Sequence, residues 1–88
     1  MYYVYVLQSE QDKTTYIGYT NDLRKRVKEH NQGKTKSIKH KRPLKLVYYE
    51  AYFKKTMALK REIELKRNSF EKRELFKRIF NAAPSSSG

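Results

Sequence analysis

Residues 2–20, YYVYVLQSEQDKTTYIGYT, decide the fold. Tyr2 to Leu7 is a run of aromatic and β-branched residues, Thr15 to Thr20 is a second, and the stretch Ser9 to Thr14 between them is polar. Such side chains suit the pleated, half-buried surface of a strand, and two runs joined by a short polar segment predict a hairpin. Gly18 inside the second run marks a close backbone approach or a bulge.

Working outward, Asn21 and Asp22 offer helix N-caps, Leu23 and Val27 recur at helical spacing, and Gly33 supplies a stop; a first helix is predicted over about 22–32. Lys34 to Pro43 is polar and strongly basic, which predicts an exposed loop with no part in the core. Leu44 to Phe53, containing LVYYEAYF, reads as a third strand. From Thr56 the period becomes helical, with Met57, Leu59 and Ile63 on one side and Ala58, Glu62 and Leu65 on a neighbouring stripe. Asn68 and Ser69 interrupt that helix. Ser69 is expected to cap a third one, whose apolar side is Phe70, Phe76, Ile79 and Phe80. Ala82 to Gly88 (AAPSSSG) reads as a flexible C-terminal tail. The order β-β-α-β-α-α predicts an α+β fold: one domain over 1–81, with a three-stranded, largely antiparallel sheet flanked by helices.

At 88 residues there is room for one core. Cysteine is absent, which excludes a disulfide framework, a thiolate zinc site and a cysteine nucleophile. Lys and Arg number 21 against 9 Asp and Glu, a net charge of +12 that marks a binder of polyanions, nucleic acid before a membrane surface. The longest apolar stretches are only strand-length, so a soluble cytoplasmic protein is expected.

Within this frame, Tyr3-Val4-Tyr5 on the first strand and Tyr16-Ile17-Gly18 on the second resemble the two half-motifs of the GIY-YIG nuclease superfamily, with Tyr3 where the usual glycine stands. Asn21-Asp22-Leu23, Arg26 and His30 on the first helix, and Glu62 in Ala58-Leu59-Lys60-Arg61-Glu62 on the second, follow at family-like spacing. The likeness covers roughly residues 2–67 and is greatest to short stand-alone bacterial members of the YhbQ-like type. It implies a divalent-metal-dependent endonuclease that hydrolyses nucleic-acid phosphodiesters, DNA ahead of RNA, in repair or processing. By the same resemblance Tyr16 activates or orients the attacking water, with Tyr5 as its neighbour on the adjacent strand. Arg26 stabilises charge on the phosphate, His30 assists the general base, and Glu62 holds one Mg²⁺ or Mn²⁺. Family members also carry an asparagine late in the domain; Asn68 does not match its spacing and is left unassigned.

The chemistry of these residue types agrees. A phosphodiester repels nucleophiles by its charge, so its hydrolysis calls for a positive clamp, a metal and an activated water. Arginine offers a fork matched to phosphate oxygens. A lone carboxylate completed by water suits Mg²⁺ or Mn²⁺ better than zinc. A tyrosine, with an ordinary pKa of about 10, acts as a base only if neighbouring cations lower it, and otherwise positions water. Arg26 and His30, four apart and beside Leu23 and Val27, are expected on the sheet-facing edge of their helix.

Plainer roles compete. Tyr2, Tyr48, Tyr49 and Tyr52 read as packing residues. Arg26 lies in the charge run Arg24-Lys25-Arg26, and Glu62 has Lys66 four residues on as an ion-pair partner. Lys34, Lys36, Lys39, Lys41 and Arg42 read as charges that position phosphates without reading sequence. The alternative function is a non-catalytic nucleic-acid-binding module that keeps the nuclease fold; filled catalytic positions argue against a pure protein-interaction adaptor. A monomer, with a protein partner for substrate docking, completes the expectation.

Overall fold

The computed structural model describes residues 1–81, and the tail expected at 82–88 lies outside the described residues. The elements are β1 (Tyr2–Ser9), β2 (Thr15–Thr20), α1 (Leu23–Asn31), β3 (Leu44–Tyr52), α2 (Lys55–Arg67) and α3 (Ser69–Asn81), with a short 3₁₀ turn at Lys39–Lys41 before β3. This is the expected β-β-α-β-α-α order. The sheet order is β2-β1-β3, and the central β1 is antiparallel to both neighbours, with an irregularity in its β3 register between Val6 and Leu7.

Because strand side chains alternate, β1 feeds two cores. Val4 and Val6 join Ile17 of β2 and Ala58, Leu65 and Leu75 from α2 and α3. Tyr5 and Leu7 pack on the other face with Leu44 and Ile38, against Leu23 and Val27 of α1. Each fully buried aliphatic side chain contributes on the order of 1.5–3 kcal/mol. The sheet is thus held between α1 on one face and the α2–α3 pair on the other.

Three expectations are corrected. The basic connection at 34–43 does enter the core, through Ile38 at 7% exposure. β1 continues past Leu7 to Ser9, whose wholly buried hydroxyl donates to the Lys41 carbonyl at 2.8 Å and accepts from the Gln11 amide, which ties the hairpin turn to the basic loop. In α2, where the sequence leaves two stripes open and nothing is overturned, Ala58 and Leu65, both at 0% exposure, face the sheet, whereas Met57 and Ile63 are half exposed. The cap of α3 is Asn68, one residue earlier than expected: its Oδ1 accepts from the amides of Phe70 (3.0 Å) and Glu71 (3.1 Å), the bonds that satisfy otherwise orphaned helix donors. The deepest residue of α3 is Leu75, while Phe70 is largely exposed.

A half-buried ionic cluster locks α2 to β3. Arg61 donates to Glu50 through Nε (2.9 Å) and Nη2 (3.1 Å), and Nη1 reaches Glu64 at 2.6 Å and Glu71 at 3.5 Å. The hydroxyls of Tyr48 (2.6 Å) and Tyr52 also donate to Glu50. Burial opposes ionisation of Glu50, but Arg61 and the two hydroxyls outweigh it and hold the carboxyl below its ordinary value.

Candidate active site

Tyr5 is the centre of the site. It is 1% exposed on the central strand, and its ring lies across Gly18, its partner in the β1–β2 register. A Cβ at Gly18 would fall 2.3 Å from the Tyr5 hydroxyl oxygen, so glycine here serves close approach, one of the two readings open in the sequence.

The Tyr5 hydroxyl meets His30 Nε2 at 2.7 Å, and the other ring nitrogen, Nδ1, meets Thr35 Oγ1 at 2.8 Å. His30 is brought there by the end of α1. Gly33, at φ 81, sends its amide to the His30 carbonyl (3.1 Å), and the Lys34 amide reaches Glu29 (3.2 Å), the paired bonds of a glycine-terminated helix. That turn returns the chain so that Thr35 sits beside the imidazole. Asp22 caps the other end, accepting from the Lys25 amide at 3.1 Å.

Burial first, and then the charge of Arg26, lower the pKa of His30, so the imidazole is neutral near pH 7. Burial pushes the Tyr5 hydroxyl up to about 12, with the neighbouring Arg26 pulling the other way. Arg26 can only donate, so the Tyr5 oxygen is an acceptor toward the guanidinium, and both ring nitrogens of His30 are engaged, Nε2 by the Tyr5 hydroxyl and Nδ1 by the Thr35 hydroxyl.

Tyr16 lies on the same face as Tyr5, two residues along β2 from Gly18. Its ring is edge-on to His30 at 5.2 Å between centroids and 6.4 Å from Tyr5. Lys66 of α2 reaches the edge strand β2 and sits 5.8 Å above the centre of the Tyr16 ring, in cation–π range. The same ammonium is 3.1 Å from Glu62, whose side chain is 18% exposed. Arg26, 36% exposed, is held at 3.2 Å by Glu29.

The structure therefore brings together all five residues singled out in the sequence. Tyr5, Tyr16 and His30 form one aromatic cluster, Arg26 stands beside the Tyr5 hydroxyl, and Glu62 joins Tyr16 through Lys66. The ion pair between Glu62 and Lys66, the plainer role considered for that glutamate, is formed as well. Sequence reading missed two members. Lys66 was legible only as a helix partner of Glu62, and Thr35 carried no signal, because its place depends on the path of the loop after Gly33.

Among the described residues, no three His, Cys, Asp or Glu are grouped closely enough to hold a metal ion by themselves. What is present is one partly exposed carboxylate already facing an exchangeable cation, for the Lys66 side chain is 47% exposed. A hard oxygen donor completed by water suits Mg²⁺ or Mn²⁺ better than zinc.

The hairpin tyrosines thus face an arginine and a histidine on the following helix, with a glutamate from the next helix alongside. The chain belongs to the GIY-YIG family: residues 1–74 match the GIY-YIG catalytic domain. Within it the chain is similar to the UPF0213 protein YazA of Bacillus subtilis, 41% identical over 76 residues that cover 85% of this chain and 76% of that one. It is also similar to a UPF0213 protein of Syntrophus aciditrophicus, 45% identical over 78 residues, covering 85% and 88% of the two chains. The solution NMR structure of a UPF0213 protein from Bacillus halodurans superposes with a TM-score of 0.54 at 37% identity, covering 86% of this chain and 82% of that one. Among the described residues no helix is long and apolar enough to cross a membrane.

Proposed function

We propose that this protein is a divalent-metal-dependent endonuclease that hydrolyses phosphodiester bonds in nucleic acid, DNA ahead of RNA. The observation that carries this reading is the convergence of Tyr16, Arg26 and Glu62 around the buried Tyr5–His30 pair. Glu62 is the residue that would hold Mg²⁺ or Mn²⁺, and such an ion supplies Lewis acidity toward the phosphate. Arg26 turns part of its fork to the non-bridging phosphate oxygens, where charge grows as the bond breaks. Tyr16 orients the attacking water through its hydroxyl. His30, enclosed and with both nitrogens engaged, acts through Tyr5: it fixes the direction of the Tyr5 hydroxyl, which in turn sets the Arg26 guanidinium. Lys66 pairs with Glu62 and would have to swing aside for the carboxylate to hold a divalent ion.

The test is cleavage of labelled single-stranded, duplex and branched DNA and RNA in Mg²⁺, Mn²⁺ or EDTA. Wild type is expected to cut only with a divalent ion, and Glu62→Ala and Arg26→Ala to lose about 10²–10³ in rate, the scale for removing one charge-stabilising group. Metal-dependent cutting that survives Glu62→Ala unchanged would refute the assignment. The second reading, a binding module without turnover, is favoured by the Glu62–Lys66 ion pair, which already satisfies the carboxylate. Under it, salt-sensitive binding persists and no condition yields cutting.

A further inference from the structure

On the α1 face of the sheet, beside the cluster just described, lies an open groove of about 540 Å³. Its walls include Tyr3 of β1, Tyr49 of β3 and the apolar flanks of Val27 and Leu46. Tyr3 and Tyr49 meet edge to face, 6.0 Å between centroids at 66°, and Tyr49 is 52% exposed. Two rings locked against each other with one left open to solvent differ from a packed core pair, since burying Tyr49 would have been the favourable outcome for packing alone. Arg24 stands at the rim.

The groove is continuous with the catalytic side. Asn21 and Asp22, at the start of α1, border both it and the shallow depression that holds Lys25 and Arg26. A chain with a phosphate at Arg26 can therefore pass around the N-terminal end of α1 and bring its next unit over Tyr49. Tyr3 lies two residues from Tyr5 on the same face of β1, so the stacking surface and the buried site share one rigid strand. The net charge of +12 makes a polyanion the favoured occupant of such a path. Asp22 is engaged by the Lys25 amide and adds a negative charge at the rim, which favours a neutral base over a second phosphate in the groove itself.

We propose that this groove is a nucleobase subsite, in which Tyr3 and Tyr49 stack an unpaired base and Arg24 contacts the phosphate beside it. A stacked base offers its flat face to the rings whatever its identity, so the subsite selects unpaired nucleotides without reading sequence. The substrate class is accordingly a strand with at least one splayed nucleotide next to the bond under attack, as in a single strand, flap or junction. This rests on the nucleic-acid reading above but not on turnover, and the test separates the two.

Binding is measured in EDTA, by anisotropy, with a labelled oligothymidylate and with an abasic strand of equal length and charge. Wild type is expected to bind the intact strand roughly ten-fold more tightly, the order of one base–aromatic stack. Tyr3→Ala and Tyr49→Ala should each bring that ratio close to one while leaving the affinity for the abasic strand unchanged, in protein that stays folded at the assay temperature. Tyr3→Phe, which keeps the ring, should retain it. Equal affinity of wild type for the two strands overturns the proposal and is the result if the groove serves an apolar peptide instead; a Tyr3→Ala loss that falls equally on both strands overturns it as well. Glu62→Gln should preserve the ratio; a preserved ratio with no cleavage under any metal condition refutes catalysis and leaves the subsite standing.

Discussion

Gly18 and Tyr5 face one another across β2 and β1, and a single methyl group tests that contact. In Gly18→Ala the new Cβ would need the space of the Tyr5 ring tip, 2.3 Å away, so the ring must leave its position and with it the bond to His30. The expected destabilisation is about 1–3 kcal/mol from overpacking, with loss of cleavage larger than the loss of stability accounts for. A chemical denaturation series alongside cleavage rates checks this, and an active, equally stable variant would sink it. His30 makes the second residue-scale prediction. Its pKa in the fold is below the ordinary 6.5, so between those values the unfolded chain binds more protons than the native one. The stability this provides is whole above about pH 6.5 and drains as pH falls through the folded value. Urea melts across that window should slope downward with acid, and His30→Gln, which does not titrate, should flatten the slope; an imidazole found by NMR to titrate at or above the ordinary value contradicts the prediction. The residues of the site were legible because motif and strand pattern are local. Thr35 and the Lys66–Tyr16 contact were not, because they depend on where a loop returns and how a helix is rotated against a strand edge.

Among the elements, α2 shows what periodicity leaves undecided. Two adjacent stripes, Met57–Leu59–Ile63 and Ala58–Glu62–Leu65, each satisfy a helical period, and the period alone does not choose between them. The second faces the sheet, since Ala58 permits a close approach to β1 and β2 while Arg61 is drawn to Glu50 on β3. Nothing in the spacing within α2 reports that distant carboxylate. The pair is enclosed, with side-chain exposures of 16% and 15%, so removing one partner strands a charge. Arg61→Leu is expected to cost about 3 kcal/mol in a denaturation experiment, and Arg61→Leu with Glu50→Leu together to cost less than the two single changes summed, because neither then leaves an unpaired ion. Strict additivity would show that the pair does not hold α2 in place. At the next boundary, Asn68→Ala should lower stability by about 1 kcal/mol through loss of the α3 cap, whereas Ser69→Ala should change little. Sequence placed this break correctly but chose its neighbour, since both residue types cap well.

Over the whole molecule, the net charge of +12 is unevenly engaged. Lys41 is bound to Asp12 at 2.9 Å, Arg61 is enclosed by carboxylates, and Lys66 faces Glu62, so each is occupied in holding the fold or the site. Lys34, Lys36 and Lys39, by contrast, are exposed on the loop that follows α1, and the same loop delivers Thr35 to His30 and Ile38 to the core. A segment anchored at two internal points can present its lysines in fixed positions near the site, unlike a free basic tail. If they lie on the path of the strand, each contacts a phosphate and releases a counterion on binding. Substituting all three by glutamine should then flatten the dependence of log affinity on log salt by roughly 0.7 per lysine for a single strand. The melt should hardly move, because none of the three supports the core. Lys41→Gln should behave in the opposite way, loosening the loop from the hairpin turn through Asp12 and Thr14 with a smaller effect on the salt slope. Titrations at several salt concentrations, paired with melts, distinguish these outcomes. An unchanged slope in the triple variant would place the strand elsewhere and leave the groove at Tyr3 and Tyr49, on the other flank of α1, as the surface to follow next.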